Sequence, residues 1–322
     1  MPELAIGTIF SRNYLPQAMC LAESLRRFHP DILLFGLLID HTGEGVDPSK
    51  LPFPCLDAKE IGVPFAQATS RPDHLLEIAV RAKPFLLEHL LDREFRQVLF
   101  LDPDMLILHQ LDELLLLLSQ HSLVLTPHLL APPTGNNRWD RELNILVSGI
   151  YNGGCLGVSE SSTARSFLLW FKERLLWNCR HATGEGVYYD QRWLDLVPAH
   201  FPEVHLCRHS GVNVAYWNLA ERELSQAGGQ ILANGEPCLC FHFSGFDPDQ
   251  PDRPSKHAPG LTLPESGVAR SLYAHYAQRL KAAVSRPITS EPRLELDLSE
   301  SLASSVTCPK KLLVASDNCY DW

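Results

Sequence analysis

The sequence has few basic residues and no apolar run long enough to span a membrane. Lys and Arg number 28 against 38 Asp and Glu, so the net charge is −10 at pH 7. This balance argues against a nucleic-acid-binding protein, which normally carries a basic stripe. The most apolar run, Leu114–Leu118, is far shorter than the ~18 apolar residues of a transmembrane helix.

Paired cysteines and a targeting signal are also missing. The nine cysteines include no C-x-x-C pair, and an odd number without framework spacing favours buried thiols in a reducing compartment over a disulfide scaffold or a zinc site. The segment Met1–Leu4 lacks the basic and apolar regions of a signal peptide. We therefore expect a soluble, cytoplasmic protein, an expectation that leaves peripheral contact with a membrane open.

Apolar runs alternate with amphipathic segments in the first half of the chain. The predicted strands are residues 4–10, 32–39 and 97–101, and the predicted helices are residues 14–28 and 71–91. Pro84 is expected to kink the second helix or to split it. This alternation indicates an α/β fold with a doubly wound sheet, whose ligands bind beyond the carboxyl ends of the strands.

Two carboxylates follow the third predicted strand directly. Asp102 and Asp104 flank Pro103, and carboxylate oxygens are the ligands that Mg²⁺ and Mn²⁺ favour, often with substrate phosphates in the same shell. The same tripeptide recurs at residues 247–249, in a proline-rich stretch that is typical of a loop. The first copy, residues 102–104, differs because it follows a predicted parallel strand. The alternative to a metal site there is a turn or helix-capping pair.

Further polar motifs follow in order along the chain. They are Thr8 near the end of the first strand, Asn152-Gly153-Gly154, Asp190-Gln191, and His242-Phe243-Ser244-Gly245. Together with Asp102-Pro103-Asp104, this ordered set resembles the metal-dependent glycosyltransferases of the GT-A fold, most closely glycosyltransferase family eight, the galactosyltransferase and glycogenin group. The resemblance covers roughly residues 4–260 and implies a mixed central sheet flanked by helices.

The resemblance assigns a metal site and a diphosphate site. Asp102 would contact both the metal and the ribose of the donor, while Asp104 and His242 would complete a site for Mn²⁺ or Mg²⁺. Gly245 would let the backbone approach the diphosphate beside Ser244, and Lys256 would place a cation on it. The alternative for His242 is a strand histidine whose hydrogen bonds are made within the protein. The alternative for Lys256 is a solvated surface lysine.

The resemblance also assigns the donor-sugar and nucleotide contacts. Asp190 would orient the sugar hydroxyls, Gln191 would lie opposite the leaving diphosphate, and Lys83 would lie near the phosphate or sugar. The segment Asn152-Gly153-Gly154 would face the sugar, with a tight turn as the equal alternative. Thr8 and Tyr14 would flank the base, although ordinary packing is favoured for Tyr14. A helix-start acid and a solvated helix lysine are the alternatives for Asp190 and Lys83.

These assignments predict a hexosyltransferase that uses a nucleotide-sugar, a UDP-sugar by family default, and acts on a glycan, lipid-linked or protein acceptor with retention. The catalytic domain would span residues 1–284, with residues 285–322 as a tail. One alternative is a nucleotidyltransferase, which normally has a glycine-rich phosphate loop that Gly7–Asn13 does not provide. The other is a non-catalytic module that binds nucleotide-sugars. The sequence does not indicate an oligomeric state.

Overall fold

The computed structural model of the chain describes residues 3–40, 47–64 and 72–285. Seven strands form the central sheet: β1 Leu4–Phe10, β2 Leu33–Leu38, β3 Cys55–Asp57, β4 Gln97–Leu101, β6 Leu123–Pro127, β7 Tyr151–Ser159 and β10 Val204–Leu206. The other strands are β5 Met105–Ile107, β8 His181–Ala182, β9 Val187–Tyr188, β11 Val214–Ala215, β12 Leu224–Ala227, β13 Gln230–Ala233, β14 Glu236–Pro237 and β15 Cys240–His242.

The α-helices are α1 Leu15–Phe28, α2 Pro72–Asp92, α3 Asp112–Gln120, α4 Arg138–Ser148, α5 Ser162–Trp177, α6 Gln191–Leu194, α7 Val197–His200 and α8 Val268–Ser285. In the described parts of the chain, no helix combines the length and the apolar character needed to cross a bilayer. Apart from Ser285 at the end of α8, the predicted tail lies outside the described residues, as does Arg71 at the predicted start of the second helix.

The central sheet has the strand order β10-β6-β7-β4-β1-β2-β3 and is mixed. Strand β7 runs antiparallel to both of its neighbours, β4 and β6, whereas the other pairs are parallel. Helices α2 and α5 contact each other, and α2 also packs on β1 and β4. The prediction of an α/β fold with a mixed sheet flanked by helices is therefore confirmed.

A small second sheet brings distant parts of the chain to the carboxyl end of β4. Strand β5 follows Asp104 and pairs antiparallel with β15, in a register that sets Met105 opposite His242. The backbone N–H of Phe243 donates to the carbonyl oxygen of Asp104 at 2.9 Å. Because of this register, His242 lies beside the aspartates although it is far from them in sequence.

Helix α2 is continuous through Pro84. Of the two outcomes predicted for this proline, the split was wrong and the kink stays a prediction. A proline inside a helix removes one backbone hydrogen bond and costs about 3 kcal/mol. Leu86, Leu87 and Leu90 on the same helix are fully buried, and burying each such side chain contributes about 1.5–3 kcal/mol. Packing against the sheet therefore outweighs the local preference to break the helix.

Two other segments differ from the sequence prediction. Residues Asn152-Gly153-Gly154 lie inside β7, so the tight-turn alternative was wrong. Helix α4 was not predicted from the sequence. Its Trp139, Leu143 and Leu146 are each about three-fifths exposed, so its apolar residues do not mark a face that packs on the core.

Candidate active site

Asp102 and Asp104 lie in the tight connection between β4 and β5. The backbone N–H of Asp102 donates to the carbonyl oxygen of Gly154 at 2.8 Å, which ties the turn to β7. The N–H of Met105 donates to the carbonyl oxygen of Asp102 at 3.1 Å, closing the turn around Pro103. Both carboxylates are thereby held at the carboxyl edge of the sheet, as the sequence predicted.

His242 approaches both carboxylates. Its Nε2 atom lies 3.1 Å from Oδ1 of Asp104 and 3.7 Å from Oδ2 of Asp102. One ligand atom from each of the three residues lies within 4.8 Å of the others. Two carboxylate oxygens and one imidazole nitrogen form a donor set that suits Mn²⁺ or Mg²⁺, so these residues fit the metal site that the resemblance implies.

The electrostatics of the cluster also favour a cation. Burial raises the pKa of Asp102, an effect that Lys83 and His242 partly oppose. Burial also disfavours the charged form of Asp104, but the charge and hydrogen bond of His242 bring the pKa of that carboxyl below its usual value. Burial opposes the charged form of His242 as well, yet Asp104 raises the pKa of the imidazole above its usual value. The two carboxylates thus concentrate negative charge at a buried point, where a nearby positive charge stabilises their ionised form.

The two glycines of β7 leave the space in which the polar side chains meet. A Cβ atom on Gly154 would lie 2.4 Å from Oδ2 of Asp102 and 2.6 Å from Cε1 of His242. A Cβ atom on Gly153 would lie 2.2 Å from Oδ2 of Asp190. Glycine is required at both positions because side chains of other elements approach strand β7 closely there, and not because the chain turns.

Lys83 and Asp190 form a buried ion pair next to the three-residue cluster. Lys83 Nζ donates to Oδ2 of Asp190 at 2.6 Å and to the carbonyl oxygen of Gly153 at 2.9 Å, and it lies 3.9 Å from Oδ1 of Asp102. Burial opposes the charge of Lys83, but Asp190 and Asp102 keep its pKa above the usual value. Lys83 is 5% exposed, so the alternative of a solvated lysine was wrong.

Gln191 and Asn152 belong to a second group of polar side chains. Asn152 Nδ2 donates to Oε1 of Gln191 at 2.9 Å, and Gln191 Nε2 donates to the carbonyl oxygen of Ser148 at 2.9 Å. Asp190 precedes α6 without capping it through its side chain. Its carboxylate is instead directed to Lys83, which disfavours the alternative that Asp190 serves only to start the helix.

Two residues of this group had not been predicted. His128 contacts Asn152 through Nε2 at 3.2 Å and the carbonyl oxygen of Gly149 through Nδ1 at 2.9 Å. Burial lowers the pKa of His128 to about 4, so the ring is neutral at pH 7. Asn213 is fully buried and contacts both Asn152 and His242. Neither residue stands in a recognisable motif, so no local sequence signal could have identified it.

The remaining predicted residues surround this centre less closely. Tyr14 is half-buried, and burial raises its pKa with smaller contributions from Asp104 and Asp102. Thr8 is fully buried, and within the described residues its hydroxyl has no hydrogen-bond partner. The structure therefore gives Thr8 no exposed surface for a ligand, and its contact with the base stays a prediction.

The loop after β15 folds back on itself at Gly245. This residue has φ +68°, and a Cβ atom on it would lie 2.6 Å from Cδ2 of His257. Its carbonyl oxygen accepts from the N–H of Lys256 at 2.9 Å, and the Lys256 side chain is exposed while Ser244 is half-buried. His257 was not predicted; burial, with help from Lys256, lowers its pKa to about 4.

The second Asp-Pro-Asp copy, residues 247–249, is not part of the Asp102–Asp104–His242 cluster. Oδ1 of Asp247 accepts from the N–H of Asp249 at 2.9 Å, forming a local turn. The side chain of Asp249 is 82% exposed and pairs with Lys281 at 3.2 Å. The prediction of a loop is confirmed for this copy.

Comparison with solved structures identifies the fold. The galactosyltransferase LgtC, solved in complex with donor and acceptor sugar analogs, superposes with a TM-score of 0.51 at 16% identity, over 88% of this chain and 97% of that one. The apo form of the glycosyltransferase GlyE of Streptococcus pneumoniae TIGR4 gives a TM-score of 0.50 at 12% identity, over 88% of this chain and 63% of that one. The chain has the GT-A fold. In the GT-A fold of this chain, the Asp102–Asp104–His242 cluster lies at the carboxyl edge of the central sheet.

Two sequence relatives of the chain are uncharacterized proteins and indicate no function for it. The uncharacterized protein YfnF of Bacillus subtilis (strain 168) is 27% identical over 259 residues, which cover 75% of this chain and 81% of that protein. The uncharacterized protein YfnD of the same strain is 24% identical over 254 residues, which cover 76% and 79% respectively. No protein-family model matches the chain.

Proposed function

We propose that the protein is a metal-dependent glycosyltransferase that transfers a hexose from a nucleotide-sugar, a UDP-hexose by resemblance, to an acceptor hydroxyl. The observation that carries the proposal is the convergence of Asp102, Asp104 and His242 on one point, 3.1–3.7 Å from carboxylate oxygen to imidazole nitrogen. The buried pair of Lys83 and Asp190 adjoins this point. LgtC, which shares the fold, was solved with donor and acceptor sugar analogs, and this supports a sugar donor and a glycan acceptor.

The metal would be held by Asp102, Asp104 and His242. When bound, Mn²⁺ or Mg²⁺ would neutralise the charge that develops on the departing diphosphate. Gly245, with no Cβ atom, would let the backbone approach the diphosphate, and Lys256 on the exposed side of the same loop would add a positive charge. Ser244 and Tyr14 complete the proposed donor contacts.

The donor sugar would lie against the second polar group. Lys83 fixes the carboxylate of Asp190 through Oδ2, so that Oδ1 is the oxygen left to accept from sugar hydroxyls. Gln191 accepts from both Asn152 and the backbone N–H of Gly153, which orients it beside the sugar. A Gln-to-Glu variant of LgtC has been solved as an active-site mutant, and this supports a role for Gln191 in the reaction.

Transfer with retention follows from the resemblance at Asp190-Gln191. The acceptor hydroxyl would attack on the face that the diphosphate leaves, and a diphosphate oxygen would take its proton. We expect the product to keep the anomeric configuration of the donor, which NMR of the isolated product would show. A product of the opposite configuration would rule out the retaining assignment while leaving the transferase assignment intact.

The proposal is tested by replacing one metal ligand. We expect Asp104→Asn to abolish release of UDP from UDP-glucose or UDP-galactose in the presence of Mn²⁺, with little change in melting temperature. The matched control is Asp249→Asn in the second copy of the tripeptide, which should keep wild-type turnover because its side chain is exposed in a loop. Full activity of Asp104→Asn would refute the metal role.

The two alternatives are separated from the transferase by other observations. A nucleotidyltransferase is not favoured, because the segment after β1 forms a short 3-10 helix, Arg12–Tyr14, that leads into α1, and not a glycine-rich phosphate loop. A binding module would show a shift of melting temperature with nucleotide-sugars and Mn²⁺ but no turnover with any acceptor. A panel of nucleotide-sugars measured for both properties decides between them.

A further inference from the structure

A chain of side-chain amides connects the backbone of α4 to the imidazole of His242. Gln191 Nε2 donates to the carbonyl oxygen of Ser148 at 2.9 Å, and Asn152 Nδ2 donates to Oε1 of Gln191 at 2.9 Å. Asn213 Nδ2 donates to Oδ1 of Asn152 at 3.1 Å, and Oδ1 of Asn213 lies 3.1 Å from Nδ1 of His242. Four consecutive hydrogen bonds therefore lead to the proposed metal ligand.

The direction of every hydrogen bond in this chain is set at its first member. A backbone carbonyl only accepts, so Gln191 must turn its nitrogen toward Ser148 and its oxygen toward Asn152. The same reasoning turns the oxygen of Asn152 toward Asn213 and the oxygen of Asn213 toward His242. Since an amide oxygen only accepts, Nδ1 of His242 carries a hydrogen. When a cation is bound, the neutral imidazole would therefore present the lone pair of Nε2 to that cation beside Asp102 and Asp104.

Asn213 itself has little freedom to turn. Its side chain is fully buried, and Nδ2 also donates to Oγ1 of Thr126 at 3.2 Å. Its backbone N–H donates to Sγ of Cys240 at 3.2 Å, and its carbonyl oxygen accepts from Nδ2 of Asn218 at 3.1 Å. The backbone has φ +54°, a left-handed conformation that asparagine and glycine adopt more readily than other residues.

We propose that Asn213 is a positioning residue that fixes His242 as the Nδ1–H tautomer and so leaves Nε2 free to bind the divalent cation. This inference rests on the proposed metal-dependent function. Histidine ligands of metals commonly donate their other ring N–H to a neighbouring acceptor, and loss of that acceptor typically weakens metal binding about 10- to 100-fold. In this chain the acceptor is a side-chain amide whose orientation depends on Asn152 and Gln191.

The test compares two substitutions of Asn213 by Mn²⁺ binding, measured by electron paramagnetic resonance. Asn213→Gly removes the acceptor but keeps a residue that favours the left-handed backbone, and we expect it to bind Mn²⁺ about 10- to 100-fold more weakly. Asn213→Asp keeps an oxygen acceptor for Nδ1–H but loses the donor to Oδ1 of Asn152, so it should bind Mn²⁺ more tightly than Asn213→Gly and more weakly than the wild type. Asn234→Gly, at an exposed asparagine with φ +52°, is the matched control and should bind normally.

Nitrogen NMR of histidine-labelled protein loaded with diamagnetic Mg²⁺ reads the tautomer directly. His242, assigned by the signals that disappear in His242→Ala, should carry its hydrogen on Nδ1 in the wild type and lose that preference in Asn213→Gly. A wild-type Nε2–H tautomer, or equal Mn²⁺ affinity of Asn213→Gly and wild type, would overturn the role of Asn213 and leave the transferase assignment standing. Failure of the wild-type protein to bind Mn²⁺ would instead overturn the proposed metal dependence, and this inference with it.

Discussion

Single residues decide how closely the parts of the site approach one another. Gly154 is the clearest case, because a Cβ atom there would overlap with Asp102 and His242 at once. Such overlap cannot be relieved cheaply, since both side chains are fixed by neighbours in the cluster. The glycine is therefore as necessary to the proposed metal site as the residues that would bind the metal.

We expect Gly154→Ala to lower Mn²⁺-dependent turnover at least ~100-fold, because misplacement of a reacting group by about 1 Å can cost that much. Mn²⁺ binding should weaken in parallel. The control is Gly184→Ala, since a Cβ atom on Gly184 has no atom within 4 Å. Wild-type turnover in Gly154→Ala would show that the cluster rearranges without loss, contrary to the geometry described above.

The burial of Lys83 excludes one of the two roles that the sequence left open for it, that of a solvated helix lysine. A helix lysine is ordinarily solvated, and nothing local marks this one as different. The structure places its Nζ between Asp190 and Asp102 with 5% of the residue exposed. A position of this kind is set by how α2 packs on the sheet, which no neighbouring residue in the sequence encodes.

At the scale of elements, helix α4 shows that the apolar residues of a helix do not always identify the face that packs on the core. Its Trp139, Leu143 and Leu146 face solvent, whereas Arg141, on another side of the helix, lies half-buried and reaches the carbonyl oxygen of Trp217. Sequence reasoning assumes that apolar residues point to the core. Here the assumption fails, because α4 contacts α6 and β9 without burying any of its own residues.

We expect Leu143→Gln and Leu146→Gln in α4 to change the free energy of unfolding by no more than about 0.5 kcal/mol, as is usual for exposed positions. By contrast, Leu118→Ala in α3 should cost about 2–5 kcal/mol, because Leu118 is fully buried against Gly157. Urea unfolding of the three variants measures both effects. A large loss in the α4 variants would show that the helix face is covered in the folded protein.

At the scale of the whole molecule, buried neutral histidines make stability depend on pH. The pKa of His128 is lowered from 6.5 to about 4 by burial, so the unfolded chain binds a proton there that the folded chain does not. Its contribution to stability is fully present above pH 6.5 and is lost as the pH falls toward 4. The loss approaches about 3 kcal/mol at most, at 1.36 kcal/mol per pKa unit.

We expect the metal-free protein, kept in EDTA, to lose more stability between pH 7 and pH 4.5 than the variant His128→Asn does. The variant lacks the titrating ring, so its unfolding free energy should fall less steeply over the same interval. The raised pKa of Asp102 acts in the opposite direction and is common to both proteins. Equal pH dependence in urea unfolding would show that His128 is not held neutral in the folded state.

The sequence by itself determined the order of the elements and the candidates for the site. Apolar runs end where strands end, so Asp102 and Asp104 could be placed at the carboxyl edge of the sheet, and His242 at the end of a later strand. Both predictions rest on local patterns that survive in the folded chain. The mixed sheet was expected from family resemblance, because strand direction depends on pairing between distant segments.

Only the tertiary structure decided which of these candidates meet. The pairing of β15 with β5 sets His242 beside Asp104, and the antiparallel insertion of β7 sets Gly153 and Gly154 against Asp190 and Asp102. The partners His128 and Asn213 became visible for the same reason. Their hydrogen bonds join residues separated by many positions, and such contacts depend on register and burial, which the local sequence does not specify.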